Sequence, residues 1–163
     1  VLLKFNLMFV FNYILMFVLV MGSNEQKTYI KEYYANGILK SEGWSINNQK
    51  TDYWFYYFEN GNVKGKGSYE TNKKNGYWFF YNQSNAVISQ GHYQNGKRVK
   101  WWVLLREKNV VEKVQFVNDV RQGYSLLYKN GNLFKAQHYK DNILTGAWTS
   151  IAHFKKDNPN AQF

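Results

Sequence analysis

The strongest constraint on this chain is a spacing. Val63, Gly67, Tyr69 and Trp78 return 24 residues later as Val87, Gly91, Tyr93 and Trp102, and Gly43 and Trp54 stand one period earlier. The step then shortens to 23 residues: Phe116 and Tyr139 continue the Tyr69–Tyr93 column, and Gly123 and Gly146 follow at the same step. About five units cover residues 33 to 151, and repetition at a fixed period of 20 to 50 residues marks a repeat architecture.

Residues 56–79 show what a unit contains. Glu59-Asn60-Gly61 and Asn72-Lys73-Lys74-Asn75-Gly76 read as turns, with Val63 to Tyr69 and Tyr77 to Asn82 as the strands between and after them. Asn and Gly tolerate the left-handed dihedrals of tight hairpins. The same punctuation returns at Asn36-Gly37, Asn95-Gly96 and Asn130-Gly131, and without glycine at Asn47-Asn48, Asn118-Asp119 and Asp141-Asn142. Turn signals about every 12 residues and segments rich in Tyr, Phe, Trp and Val leave no room for long helices. The expected fold is all-β: an elongated antiparallel β-meander of repeated hairpins with a period of 23–24 residues.

Glycines 43, 67 and 91 weaken a strand and need a reason. Each stands near an aromatic pair: Tyr53-Trp54, Tyr77-Trp78 or Trp101-Trp102. A bare backbone on one strand lets a large ring on its neighbour lie flat across it, so the spacing predicts rings seated on glycines. Gly67→Val is then expected to cost about 1–3 kcal/mol, the usual size of an overpacking penalty. Consecutive aromatics, Tyr53 to Phe58 and Tyr77 to Tyr81, place rings on both faces of the sheet. Such a sheet must twist, pack on itself or bind something.

The fourth unit, residues 104–126, is degenerate. Its turn is Glu107-Lys108-Asn109, Val114 replaces the column glycine and Ser125 replaces the column tryptophan. The fifth recovers Tyr128-Lys129-Asn130-Gly131 and Gly146-Ala147-Trp148. The slip in period marks residues 104–114 as the expected irregularity of the sheet, where the twist changes or a partner docks.

The motif YxNG, a polar strand, a glycine with an aromatic, then NGK and GxW resembles the variant MORN repeat of bacterial proteins. Its clearest copies are Tyr33-Tyr34-Ala35-Asn36-Gly37, Tyr57-Phe58-Glu59-Asn60-Gly61, Lys74-Asn75-Gly76-Tyr77-Trp78, Tyr93-Gln94-Asn95-Gly96-Lys97 and Tyr128-Lys129-Asn130-Gly131. The resemblance spans about residues 29 to 151 and implies elongated stacks of antiparallel hairpins. Some bacterial members are described as antitoxin-like, and eukaryotic relatives are associated with membranes and scaffolding. The repeated residues are structural, so none of those roles transfers to a residue here.

The chain opens with an apolar run, Leu7 to Met21, preceded by Lys4. With Val20 and Gly22 as small residues at a cleavage site, residues 1–22 read as a signal peptide or N-terminal membrane anchor. Residues 23–154 then form the MORN-like repeat domain and residues 155–163 a flexible tail. This places the protein outside the cell, in a periplasm, or anchored to a membrane, and suggests a bacterial source.

Chemistry is sparse. With no cysteine, disulfides, thiolate metal sites and cysteine nucleophiles are excluded. His92 and His138 fall two units apart, too far to share a metal, and His153 stands alone. Asp52, Glu59 and Glu70 flank turns. Ser68 and Ser89 lack a glycine elbow. The stretch GNVKGKG at 61–67 has no following helix to make a phosphate loop. No catalytic, cofactor or metal residue is therefore expected.

The net charge of +10 comes mainly from lysines, with Lys97, Arg98 and Lys100 clustered at one turn and three arginines in all. That distribution suits a solvated surface, or contact with anionic lipid or glycan, better than nucleic acid. The expected function is a non-enzymatic interaction or scaffold module whose partner is another protein or an envelope component. The alternatives are an intracellular antitoxin-like binder of protein, which the leader disfavours, and a hydrolytic enzyme with an unrecognised site.

Overall fold

A computed structural model describes residues 26–107 and 109–161. The leader, residues 1–22, lies outside the described residues. The chain forms one open antiparallel sheet of eleven strands, each hydrogen-bonded to its neighbours in sequence. The strands are β1 (Lys27–Tyr33), β2 (Leu39–Ile46), β3 (Gln49–Tyr57), β4 (Val63–Glu70), β5 (Lys73–Tyr81) and β6 (Val87–Gln94). They continue as β7 (Lys97–Glu107), β8 (Val110–Val117), β9 (Val120–Lys129), β10 (Asn132–Lys140) and β11 (Ile143–Trp148). Neighbouring strands lie about 4.8 Å apart, so the sheet extends roughly 48 Å across its strands. The expected meander is what forms.

Six of the hairpins close on two residues, both with positive φ: Asn47-Asn48, Thr71-Asn72, Asn95-Gly96, Asn118-Asp119, Asn130-Gly131 and Asp141-Asn142. This is the turn whose twist matches that of the flanking strands. One expected turn is misplaced. The chain reverses at Thr71-Asn72, and Asn75-Gly76 lies inside β5, which begins at Lys73. Gly76 (φ 73°) belongs to a bulge instead, and Asp52 (φ 54°), Lys100 (φ 62°) and Gly123 (φ 94°) hold the same place in β3, β7 and β9.

Bulge, glycine and tryptophan form one device. A bulge interrupts the ladder and strands a backbone carbonyl. Trp54, Trp78 and Trp102 donate their indole N–H groups to the carbonyls of Trp44, Ser68 and His92, at 2.8, 2.9 and 3.1 Å. Each ring then lies on the glycine before that carbonyl. A Cβ on Gly67 would sit 2.5 Å from Trp78 Cε2 and Cγ, and one on Gly91 equally close to Trp102. The three indoles are almost wholly buried although a single sheet has no second layer. Stacked and edge-on rings (Tyr56, Tyr69, Phe80, Tyr93, Phe116) cover them along the same face.

The fourth unit replaces the device as a set. Val114 faces Ser125 across β8 and β9, so a larger residue fills the glycine position where the ring is missing. The Gln115 side chain accepts the Tyr124 backbone N–H at 2.6 Å, satisfying the bulge from the opposite strand. The fifth unit does not recover the column. Ala136 pairs with both Leu126 and Trp148, whereas Gln137 pairs with Ser125 and Ala147. A one-residue slip in register exchanges the faces. Trp148 therefore packs with Leu126, Ala136 and Phe154 on the face opposite the other three tryptophans.

A short helix, α1 (Ile151–Asp157), ends the described chain, and the expected start of the tail at residue 155 falls within it. The Ser150 side chain caps its first turn, Lys155 and Lys156 occupy its last, and Pro159 follows its end. Phe154 anchors it, buried edge-on against Tyr124 (5.6 Å) and Trp148 (5.2 Å).

Candidate interaction surfaces

The sheet presents two chemically different faces. The tryptophan face carries the indoles and a column of cations at the residues that open β3, β5, β7 and β9. The Lys50 ammonium lies over Trp54 (4.1 Å), Lys74 over Trp78 (4.7 Å), the Arg98 guanidinium over Phe116 (4.1 Å) and Arg121 over Tyr139 (5.0 Å). The next unit's turn pins each of these residues by its backbone. Asn72, Gly96, Asp119 and Asn142 donate their N–H groups to the carbonyls of Lys50, Lys74, Arg98 and Arg121 at 2.9 to 3.0 Å. The Asn72, Asp119 and Asn142 side chains also accept N–H groups from Lys50, Arg98 and Arg121. This column follows the 24, 24, 23 spacing, but its change from Lys to Arg conceals it in the sequence.

The cations differ in what neutralises them. Arg98 pairs with Asp119 at 2.8 Å. Arg106 and Arg121 both engage Glu112, which is buried and also accepts the Ser125 hydroxyl at 2.6 Å. Glu112 thus meets the residue that stands in the tryptophan column, Ser125, and both are buried. Within residues 104–114 the strand pairing carries one register shift, as the other strand pairs do, and what sets the stretch apart is the buried Glu112 carboxylate held by two partly exposed arginines. Lys40, Lys50, Lys64 and Lys74, on the first two units, have no carboxylate within ion-pair distance among the described residues.

Around those lysines lies a cleft of about 240 Å³, lined by Tyr34, Lys40, Tyr56, Lys64, Tyr69 and Lys74 together with Trp78 and Phe80. Lys50 Nζ donates to the Tyr56 hydroxyl at 3.0 Å, which donates on to the Tyr69 hydroxyl at 2.9 Å. Burial raises the Tyr56 and Tyr69 phenols above their ordinary pKa and lowers that of the Lys74 ammonium, because each charged form is poorly hydrated there. Glu32 accepts the Ser41 hydroxyl at 2.6 Å, and its charge adds to the rise of the Tyr56 phenol.

The tyrosine face carries three aligned columns: Tyr53, Tyr77, Trp101, Tyr124; then Phe55, Phe79, Val103, Leu126; then Tyr57, Tyr81, Leu105, Tyr128. In the last full unit α1 covers Tyr124 and Leu126 with Phe154. Trp101 packs against the same cluster, whereas toward the first strands the rings are open: Tyr29, Trp44, Tyr53 and Tyr77 are 38 to 42% exposed. Beside the helix a groove of about 580 Å³ runs between Tyr77, His92, Trp101, Lys113, Leu126 and Tyr128.

The residues scanned for chemistry take structural places. His92 and His138 pack edge-on against Tyr77 (4.8 Å) and Tyr124 (5.0 Å), four strands and roughly 19 Å apart. Asp52 pairs with Lys27, and Glu70 accepts from the Asn75 amide at 2.8 Å. Among the described residues no three His, Asp or Glu side chains converge as a metal site. No described helix is long and apolar enough to cross a membrane. No family model matches the chain, and no curated protein matches it.

Proposed function

We propose that this protein is a non-enzymatic, MORN-like interaction module that seats a partner protein on its tyrosine face. The observation that carries the reading is the unequal cover of that face. Phe154 inserts between Tyr124 and Trp148 in one unit, and Trp101 packs against the same cluster, while the equivalent rings Tyr53 and Tyr77 stand exposed in the units before it. A partner segment presenting an aromatic side chain would repeat the contact that the helix already makes, and exposed aromatics clustered in this way favour such anchoring. The apolar segment from Leu7 to Met21 supports placing this activity at the cell envelope or outside the cell.

Two experiments test the reading. Tagged full-length protein is used to capture partners from its own cells beside a Tyr53→Ser/Tyr77→Ser variant. A partner retained by the parent and lost by the folded variant supports it. Equal retention by both removes the tyrosine face from the binding role. Cell fractionation addresses location: uncleaved, purely cytosolic protein would refute export and favour the antitoxin-like alternative.

A further inference from the structure

We infer that the cleft between Lys40, Lys64 and Lys74 on the tryptophan face is a second binding site, for an acidic sugar chain carrying about one anionic group per disaccharide. The argument starts from charge. In units three and four the three arginines, Arg98, Arg106 and Arg121, are paired internally with Asp119 and Glu112. Units one and two hold four ammonium groups, Lys40, Lys50, Lys64 and Lys74, among rings and phenols with no ion-pair partner among the described residues. The positions equivalent to Lys40 and Lys64 one and two units later are Ile88 and Val111, so this pair of lysines flanking the cation column does not recur in the third and fourth units. Lys74 is half-buried, and its ammonium lies 4.7 to 5.1 Å from the centres of Trp78, Phe80 and Tyr93. An anion in the cleft would compensate the hydration that burial takes from this ammonium.

Size and spacing select the ligand. The cleft, about 240 Å³, accommodates one ring-sized unit of a longer chain at a time. Its polar lining is phenol hydroxyl and ammonium, which suits a hydroxylated, anionic body. Lys40 and Lys64, like Lys50 and Lys74, recur two strands apart, roughly 9.6 Å. An extended peptide brings side chains to one face every two residues, roughly 6.7 Å, and falls out of step with this ladder. A sugar chain with one acid per disaccharide has a charge repeat of the same order as two strands. The rings here meet the cleft half-buried rather than as open platforms, and the free cations are lysines, which argues against stacked nucleic-acid bases.

The test is titration of the full-length protein with a hyaluronan hexasaccharide at low ionic strength, followed by tryptophan fluorescence and calorimetry. The comparators are neutral chitohexaose, polyglutamate and anionic phospholipid vesicles. Binding of the acidic hexasaccharide should weaken about tenfold in Lys40→Gln/Lys64→Gln/Lys74→Gln, as expected for three partly exposed ion pairs. It should be unchanged in Lys129→Gln/Lys155→Gln/Lys156→Gln, which removes equal charge elsewhere. Should the first variant misfold, the exposed single substitution Lys64→Gln serves, with an expected weakening of about twofold. Absence of binding, equal loss in both triple variants, or equal affinity for chitohexaose would overturn the site. Polyglutamate binding as tightly as the sugar, or vesicles alone binding, would overturn the assignment of its ligand. The protein-capture result on the tyrosine face is independent of every one of these outcomes.

Discussion

Gly67→Val separates the ring-on-glycine account from ordinary strand propensity, because propensity alone favours valine at a strand position. In the structure a Cβ at residue 67 would stand 2.5 Å from two atoms of the Trp78 indole, where carbon atoms rest at about 3.5 to 4.0 Å. The ring must therefore retreat by about 1 Å or more. It has little freedom to do so. Its N–H is held by the Ser68 carbonyl at 2.9 Å, Phe80 stacks on it at 5.8 Å, and Tyr69 and Tyr93 meet it edge-on at 5.1 and 6.1 Å. Overpacking costs about 1–3 kcal/mol where neighbours can adjust, and losing a buried Trp outright costs about 3–5 kcal/mol. With a fused ring pinned at both ends, Gly67→Val should fall near 3 kcal/mol. The assay is urea unfolding followed by tryptophan fluorescence and circular dichroism, run as a double-mutant cycle with Trp78→Ser. The double variant reproduces in unit two the Val114–Ser125 pair of unit four. In the Trp78→Ser background Gly67→Val should therefore cost nothing measurable or stabilise slightly. A neutral single substitution, or the same cost in both backgrounds, would refute the steric reasoning.

Four further outcomes are expected. Lys100→Gly should raise stability by about 0.5–1 kcal/mol in thermal unfolding, because Lys100 holds a left-handed bulge conformation that its counterpart Gly76 adopts freely, whereas Gly76→Lys should lower it by about 1–2 kcal/mol. Glu112→Ala should cost about 2 kcal/mol by chemical denaturation, below the usual penalty for breaking a buried ion pair because Arg106 and Arg121 retain contact with water. Phe154→Ala should cost about 3 kcal/mol and release α1, seen as faster amide exchange at residues 151–157 with the strands before β9 unaffected. Glu42 has a carboxyl held below its usual range, first by the Tyr57 hydroxyl at 2.7 Å and then by Tyr29 and Lys31, against an opposing effect of burial. A depressed carboxylate stabilises the fold above its unfolded pKa, so the stability difference between the parent and Glu42→Gln should be constant at neutral pH. It should shrink as pH falls from the ordinary carboxylate pKa, about 4.3, through the lower folded value. A difference that grows on acidification would contradict the assignment.

The strands and the seating of rings on glycines were legible because both depend on local, repeated residues. Each glycine precedes its tryptophan by 11 residues, the distance around one hairpin, so Gly43–Trp54, Gly67–Trp78 and Gly91–Trp102 carried their contact in their spacing. The bulges were not legible. Asn75-Gly76 has turn chemistry, and only the pairing of β4 with β5 reveals that the glycine serves a kink within a strand. Trp148 keeps its place in the sequence period but not its face, because the offset arises from registers accumulated across β9 to β11. Seven helical residues are too few to impose a 3.6-residue hydrophobic period, although Ser150 and Pro159 mark both ends of α1. The candidate sites emerged from a contrast: the same cation column is neutralised in some units and bare in others, and which carboxylate reaches which cation depends on the folded sheet.

The order of the strands also sets how the protein would carry tension. The described chain enters at β1 and leaves after β11, the two opposite margins of the sheet. A pull applied between its ends acts along the interstrand hydrogen bonds, so the outermost bonds bear it almost alone instead of sharing it along a strand. Strands would peel away in succession at modest force, each 24-residue unit releasing roughly 80 Å of extended chain. The Trp–Gly pairs set the successive steps: units two and three would resist through Trp78 and Trp102, whereas unit four, with Ser125 on Val114, depends on the Glu112 ion cluster. Fixed between two anchor points, such a sheet would behave as a graded extensible tether.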